Sequence, residues 1–159
     1  MKKVLFVCRG NVGRSQMAKA LFKKYSNVDA LSAGTKVPQE GPGREGKKLK
    51  DIPVAEPVIR CLWEQENIDV SEYTNKQLQP GMLKEVDKII VMAERETVPE
   101  YLLNNEKVEF WDIDDPLGKS YENHRQTMER IKKLVLEFID RYNSNRSDRV
   151  EENNPDPDA

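Results

Sequence analysis

The sequence is poor in the residues that build disulfide frameworks and most metal sites. Its 159 residues include two cysteines, Cys8 and Cys61, and one histidine, His124. Two cysteines cannot staple a scaffold or complete a four-cysteine zinc site. A single histidine argues against histidine-rich metal sites and against a Ser-His-Asp triad. The sequence therefore predicts a protein that needs no metal ion and no other cofactor.

Long apolar runs are also missing. No stretch reaches the roughly 18 apolar residues of a membrane-spanning helix. The residues from Met1 to Val7 are too few for the hydrophobic region of a signal peptide. We therefore expect a cytoplasmic protein without a membrane partner. The net charge of −2 shows no excess of basic residues, so no nucleic-acid partner is predicted.

The composition predicts one catalytic domain followed by a polar tail. Apolar residues make up 37% of the chain and charged residues 34%, which is typical of a charged but folded protein. The segment 143–159 contains five acidic and two basic residues together with Asn and Pro. We expect a domain over residues 1–142 and an acidic, disordered tail over 143–159.

Apolar runs and helical spacing alternate along the chain. The run from Val4 to Val7 is unbroken by polar residues, which is typical of a strand buried on both faces. A long loop rich in glycine and proline is predicted at 35–53. Further strands are predicted at 29–32, 88–92 and 108–111, and helices at 17–25, 57–67, 80–85, 98–103 and 121–142. This alternation predicts a three-layer α/β/α domain with four parallel strands.

The segment from Cys8 to Ser15 follows the first predicted strand and leads into a helix. Ligands of open α/β sheets bind beyond the carboxyl ends of the strands, which is where Cys8 stands. A tight loop at this point can turn successive backbone N–H groups inward. The helix N-terminus adds its unpaired N–H groups and the positive end of its dipole. The segment therefore predicts a site for an oxyanion.

Two side chains of this loop carry the predicted chemistry. Arg14 presents a planar fork that matches two phosphate oxygens. The surrounding positive field favours the thiolate form of Cys8, which is the nucleophile. Ser15 is positioned to donate a hydrogen bond to the sulfur. The other residues predicted to bind phosphate are Arg9, Gly10, Asn11, Val12, Gly13 and Ser15.

The stretch from Val4 to Ala18 resembles the start of the low-molecular-weight protein tyrosine phosphatases and of the related thioredoxin-coupled arsenate reductases. The resemblance continues through Ser32–Thr35, Asp87–Met92 and Asp115-Pro116. It implies the fold of these proteins and hydrolysis of phosphomonoesters through a phosphocysteine on Cys8. The implied substrates are phosphotyrosine in proteins or small phosphomonoesters.

The resemblance also implies that Asp115 is the general acid, because the acid of these phosphatases directly precedes a proline. Protonation of the leaving oxygen is worth about 10²–10⁴-fold in rate. Asp114 is the alternative carboxylate. The Asp-Asp-Pro sequence is also compatible with a simple turn.

The few cysteines favour phosphate transfer over arsenate reduction by an internal disulfide relay. No cysteine occurs in Met92-Ala93-Glu94, and Gly13 stands where both families often have cysteine. Cys61 is expected to be partly exposed at the edge of its helix. A reductase that uses an external thiol remains an alternative. So does a non-catalytic module that binds oxyanions or phosphoproteins, because Leu117-Gly118 replaces the aromatic residues that often follow the Asp-Pro pair.

Three further expectations concern side chains outside the loop. Trp63 and Trp111 are expected in the core or beside the sheet, and His124 on the surface. Tyr121, or an apolar residue from 36–46, is a candidate for the wall beside the substrate.

Overall fold

The computed structural model describes the backbone of residues 3–153 and the side chains of residues 3–144. The strands of this region are β1 (Lys3–Cys8), β2 (Asp29–Gly34), β3 (Lys88–Val91) and β4 (Val108–Phe110). They form one parallel sheet in the order β2-β1-β3-β4. The helices of the same region are α1 (Arg14–Tyr25), α2 (Glu56–Glu66), α3 (Glu100–Leu103) and α4 (Tyr121–Asn153).

The central strand β1 is buried on both faces of the sheet. Val4 and Phe6 pack with α1, α2 and α4 on one face, whereas Leu5 and Val7 pack with a second apolar cluster that includes Leu102 of α3. Side chains of a strand alternate between its faces, so an unbroken apolar run requires cover on both sides. The predicted three-layer α/β/α domain with four parallel strands is confirmed.

Short 3-10 helices occur at positions where the sequence predicted a loop or a helix. The segment predicted as a loop at 35–53 contains a turn at Leu49–Asp51, and a second one follows at Pro53–Ala55. The predicted helix at Pro80–Glu85 is a 3-10 helix. None of the helices in residues 3–153 is long and apolar enough to cross a membrane.

The buried face of α2 was predicted with the wrong rotation. Val58, Cys61 and Leu62 are buried at the i, i+3, i+4 spacing of one helix face, whereas the Trp63 side chain is 55% exposed. The expectations that Trp63 is a core or sheet-flanking residue and that Cys61 is partly exposed were therefore wrong. Trp111 is buried, as expected, and its ring lies 6.2 Å from that of Phe6.

The last helix buries its predicted stripe and extends further than predicted. The predicted end at Tyr142 was wrong, because α4 continues to Asn153. Segment 143–153 is polar, but it lacks proline and contains arginine and glutamate, which form helices well. Residues 154–159 of the predicted tail lie outside the described residues. The buried residues of the stripe are Met128, Ile131, Val135, Phe138, Ile139 and Tyr142.

His124 lies in the first turns of α4 and is fully buried, so the expectation of a surface position was wrong. Its Nδ1 lies 2.8 Å from the carbonyl oxygen of Ser120, one helical turn earlier. A neutral imidazole that donates from Nδ1 leaves Nε2 as an acceptor, and Nε2 has no hydrogen-bond partner among the described residues. The polar neighbours of His124 in the sequence concealed this inward position.

Candidate active site

Cys8 ends β1, and the loop 9–13 leads directly into α1 at Arg14. Cys8 and Arg14 are each 2% exposed, and Ser15 is fully buried. The Cys8 sulfur lies 3.0 Å from the Ser15 hydroxyl oxygen. Because the loop is this short, the candidate nucleophile Cys8, the candidate anion-binding residue Arg14 and the N-terminus of α1 meet at the carboxyl edge of the sheet.

Asn11 holds the centre of this loop in a left-handed backbone conformation, with φ of 55°. Its Nδ2 donates to the Ser15 oxygen at 2.7 Å, and its Oδ1 accepts from the backbone N–H of Lys76 at 2.9 Å. Since the Ser15 oxygen already accepts a hydrogen from Asn11, its own hydrogen is available to the Cys8 sulfur. Asparagine tolerates this backbone conformation better than most residues do.

The guanidinium of Arg14 is anchored through one nitrogen. NH1 donates to the carbonyl oxygens of Met92 at 2.6 Å and Ile113 at 2.9 Å, and to Oε1 of Glu94 at 3.0 Å. Within residues 3–144, Nε and NH2 make no hydrogen bond, and NH2 lies 3.8 Å from Oδ2 of Asp115. The arginine is therefore fixed by one edge while its other nitrogens remain available to an oxyanion.

Glu94 was not identified as a site residue from the sequence. Burial acts to raise the pKa of Glu94, but a hydrogen bond with its own backbone N–H and the charges of Arg14 and Arg9 lower this pKa below its usual value. The carboxylate therefore stays charged and holds the Arg14 guanidinium in place. The only signal in the sequence was its position just beyond a buried strand.

Gln16 is a second residue that sequence reasoning missed. It is fully buried in the first turn of α1. Its Nε2 donates to the carbonyl oxygens of Asn11 at 3.0 Å and Thr74 at 3.1 Å, and its Oε1 accepts from the Ser32 hydroxyl at 3.2 Å. These bonds join the loop to β2 and to the segment that carries Lys76.

Gly34 and Gly13 allow close packing around the loop. A Cβ atom at Gly34 would lie 2.6 Å from the carbonyl oxygen of Arg9 and 2.6 Å from Cγ2 of Val37, so any side chain there would displace the loop. A Cβ atom at Gly13 would lie 3.4 Å from Cδ2 of Leu117. Leu117 therefore packs directly over the backbone of the Cys8–Ser15 loop.

Asp115 lies on the segment that follows β4, at the same edge of the sheet. Its Oδ1 accepts from the backbone N–H of Leu117 at 3.0 Å, which leaves Oδ2 facing Arg14 at 3.8 Å. Asp114 is exposed and makes no ion pair within residues 3–144. Both carboxylates border a cleft of about 650 Å³ that opens beside Arg14. Of the two, Asp115 is the one that the structure places against the arginine.

The other candidates lie away from this cluster. Cys61 is buried with its sulfur 3.5 Å from that of Met128, and burial raises the pKa of its thiol to about 11. The Tyr121 hydroxyl donates to Glu64 of α2 at 2.8 Å, and the Arg60 guanidinium lies 4.2 Å from its ring centre. Among the described residues, no group of three His, Cys, Asp or Glu side chains is placed to hold a metal ion.

The known proteins that this chain resembles include arsenate reductases and phosphatases, the two classes of enzyme considered from the sequence. The chain is 28% identical over 138 residues to an arsenate reductase of Staphylococcus aureus, covering 86% of this chain and 95% of that protein. It is 30% identical over 140 residues to a glutaredoxin arsenate reductase of Synechocystis, covering 87% and 97%.

The fold comparison gives a phosphatase. The structure resembles a low molecular weight protein tyrosine phosphatase from T. tengcongensis with a TM-score of 0.74 and 26% identity, covering 89% of this chain and 99% of that one. The sequence profile of the family described as low molecular weight phosphotyrosine protein phosphatase matches residues 3–149. The resemblance seen at Val4–Ala18 is thus confirmed over nearly the whole chain, which belongs to this family.

Proposed function

We propose that this protein is a cysteine-dependent phosphomonoesterase, acting on phosphotyrosine in proteins or on a small phosphomonoester. One observation carries the proposal: Cys8, the anchored guanidinium of Arg14 and the carboxylate of Asp115 converge at one edge of the sheet. A nucleophile, an anion clamp and a proton donor are the three groups that such a hydrolysis requires.

The first chemical step transfers the phosphoryl group to Cys8. The thiolate attacks phosphorus while the bond from phosphorus to the ester oxygen breaks. Loop N–H groups and Arg14 stabilise the negative charge on the equatorial oxygens. Protonated Asp115 gives its proton to the leaving oxygen, so an alcohol or phenol departs and a phosphocysteine remains.

The second step hydrolyses the phosphocysteine. The Asp115 carboxylate takes a proton from water, and the water oxygen attacks phosphorus. The bond from phosphorus to sulfur breaks, and inorganic phosphate and the Cys8 thiolate are released. Ser15 stabilises the departing thiolate through the hydrogen bond that Asn11 orients.

The position of Cys61 supports phosphate transfer over an internal disulfide relay. A relay cysteine has to reach the surface as a thiolate, whereas Cys61 is fully buried and its thiol pKa is raised to about 11. Cys8 itself has to remain a free thiol. We therefore infer a reducing compartment, the cytoplasm, as the place where the protein works.

Arsenate reduction with an external thiol is the second candidate, favoured by the similarity to the glutaredoxin arsenate reductase. In this reaction the Cys8 thiolate replaces an oxygen ligand of arsenate. An external thiolate then attacks the Cys8 sulfur, a mixed disulfide forms, and the electron pair of the sulfur–arsenic bond reduces As(V) to As(III). A second external thiol restores Cys8. This route uses the oxyanion loop, and the oxygen displaced from arsenate leaves as water after protonation.

One parallel assay separates the candidates. Wild type and Cys8→Ser are compared on an aryl phosphate with a metal chelator present, on a phosphotyrosine peptide, and on arsenate with glutathione or glutaredoxin. We expect metal-independent hydrolysis that Cys8→Ser abolishes. An active Cys8→Ser protein contradicts the proposal. Thiol consumption that depends on arsenate, without ester hydrolysis, identifies the reductase. Phosphate binding without either activity identifies a non-catalytic module.

A further inference from the structure

The rim of the Cys8–Ser15 loop has opposite charges on its two sides. The sheet order β2-β1-β3-β4 places the residues after β2 and β1 on one side and those after β4 on the other. Lys36 and Arg9 follow β2 and β1, and the backbone N–H of Lys36 donates to the carbonyl oxygen of Arg9 at 2.9 Å. The exposed Asp112 and Asp114 follow β4.

Arg9 and Lys36 have no counter-ion among the described side chains. Both are exposed, and no carboxylate of residues 3–144 lies within ion-pair distance of either. Some exposed lysines elsewhere in that range are paired, as when Lys48 and Lys50 contact Glu72 at 2.6 and 2.7 Å, whereas others such as Lys84 are also without an ion pair. Arg9 and Lys36 are therefore cations left free for a ligand.

The charge of Arg9 reaches into the site. It contributes to lowering the pKa of the Glu94 carboxyl, whose side chain binds Arg14. Arg9 therefore lies close enough to Glu94 for the two charges to interact, and Glu94 holds the Arg14 guanidinium. It immediately follows Cys8, so the loop fixes the start of its side chain.

A phosphoryl dianion does not by itself need these cations. The loop N–H groups, the N-terminus of α1 and Arg14 already provide donors for its oxygens. A free guanidinium next to this cup matches a second planar anion, since its fork pairs with a carboxylate through two hydrogen bonds. On the other side of the rim, Asp112 and Asp114 share a groove with Lys119 and Arg130, and the carboxylates of this side outnumber its cations.

We propose that Arg9, with Lys36 beside it, forms a subsite for a carboxylate next to the phosphoryl group, so that the preferred substrate is a phosphotyrosine segment with an acidic residue on one side. This inference rests on the proposed phosphatase function and names its substrate class. The preference is one-sided, because a carboxylate on the opposite side of the phosphotyrosine faces Asp112 and Asp114.

Three phosphotyrosine peptides test the subsite: one with Asp directly before the phosphotyrosine, one with Asp directly after it, and one with uncharged flanks. In wild type, we expect kcat/KM for one Asp peptide to exceed that of the uncharged peptide about three- to fivefold, the size of an exposed ion pair. In Arg9→Gln this ratio falls to about one, and in Lys36→Gln it is reduced. Because kcat/KM is compared between peptides on the same variant, a general effect of the substitution on the loop cancels in this ratio.

Lys84→Gln is the matched control. Lys84 is an exposed cation that precedes β3, at the amino edge of the sheet, far from the loop. The ratio in this variant should equal that of wild type. A ratio near one in wild type overturns the subsite, as does a preference that persists in Arg9→Gln.

Binding to Cys8→Ser separates this inference from the proposed function. Calorimetry gives the dissociation constants of the three peptides without turnover. If wild type hydrolyses no peptide but Cys8→Ser still prefers one Asp peptide, the phosphatase proposal fails and the subsite stands. If wild type hydrolyses all peptides equally and Cys8→Ser binds them equally or not at all, the subsite fails and the phosphatase stands.

Discussion

The Ser15 hydroxyl oxygen lies 3.0 Å from the sulfur of Cys8 and 2.7 Å from Nδ2 of Asn11. The Nδ2 atom of Asn11 can only donate hydrogen bonds, so the Ser15 hydroxyl oxygen is the acceptor in this contact. Ser15 is thereby oriented as a donor to sulfur. The buried asparagine thus orients a hydrogen-bond donor at the Cys8 sulfur through an intermediate hydroxyl.

Removal of this hydroxyl should slow catalysis. Ser15→Ala removes a hydrogen bond to a charged group, and we expect kcat for an aryl phosphate to fall by about tenfold or more. Alkylation of Cys8 by iodoacetamide at neutral pH should slow as well. Ser15→Thr retains a hydroxyl and should recover part of both rates. Equal losses in Ser15→Ala and Ser15→Thr would point to disturbed packing.

The proximity of Asp115 to Arg14 predicts which carboxylate transfers the proton. Asp115→Asn should lower kcat by about 10²–10⁴-fold for a poor leaving group. The loss should be smaller for a good leaving group, which needs little protonation. Asp114→Asn is the matched comparison and should show a much smaller loss. If the larger loss follows Asp114→Asn, the two roles are exchanged.

Substitution of Gly34 tests how closely β2 packs against the Cys8–Ser15 loop. In Gly34→Ala the new Cβ meets the Arg9 carbonyl oxygen at 2.6 Å, so we expect destabilisation by about 1–3 kcal/mol and weaker binding of inorganic phosphate. Gly81→Ala is the control, because a Cβ there meets no atom within 4 Å. Thermal unfolding and phosphate titration measure both effects. If Gly34→Ala binds phosphate as tightly as wild type does, the expectation is wrong, because the loop then accommodates the added methyl group without weaker binding.

Glu66 joins three helices and predicts a pH-dependent contribution to stability. Its buried carboxylate accepts from Tyr25 at 2.5 Å, Lys24 at 3.2 Å and Lys132 at 2.8 Å. Burial acts to raise the pKa of Glu66, but these hydrogen bonds lower it below its usual value. Because the two lysines are partly exposed, we expect Glu66→Gln to destabilise the fold by about 1–3 kcal/mol at pH 7.

The sign of the pH dependence follows from the lowered pKa. The contribution of Glu66 is fully present above the pKa of the unfolded carboxyl, about 4.3, and is lost as the pH falls through the lower pKa of the folded state. Urea unfolding at pH 7 and below pH 4 should therefore show a difference between wild type and Glu66→Gln that shrinks in acid. Glu72→Gln, which removes an exposed carboxylate, should show a smaller difference at pH 7. If the difference in the free energy of unfolding between wild type and Glu66→Gln is the same at both pH values, the proposed contribution of the Glu66 carboxylate is wrong.

The sequence predicted those parts of the molecule that depend on local patterns. The buried run Val4–Val7 and the loop Cys8–Ser15 are contiguous, so their periodicity and spacing were sufficient. Glu94 and Gln16 could not be identified this way, because their roles depend on contacts between segments far apart in the chain. Nothing near Glu94 in sequence indicates that its carboxylate meets Arg14.

Helix faces were the other source of error. On α2, apolar residues at 58, 59, 62 and 63 suggested a stripe that includes Trp63. In the structure, the buried face of α2 is centred closer to Cys61 than the sequence indicated, because Met128 of α4 packs there. On α4, a polar neighbourhood concealed the inward position of His124. Periodicity shows that a helix has an apolar face, but the partner element decides where that face is centred.

Glycine at position 13 has a consequence for resistance to oxidants. A cysteine at position 13 would stand beside Cys8 in the loop and offer it a disulfide partner, which returns an oxidised nucleophile to use after reduction. Its Cβ would lie 3.4 Å from Cδ2 of Leu117, an ordinary van der Waals contact, so this leucine borders position 13. With glycine at position 13, Cys8 has no cysteine beside it within the loop, and peroxide should drive Cys8 toward sulfinic and sulfonic acids.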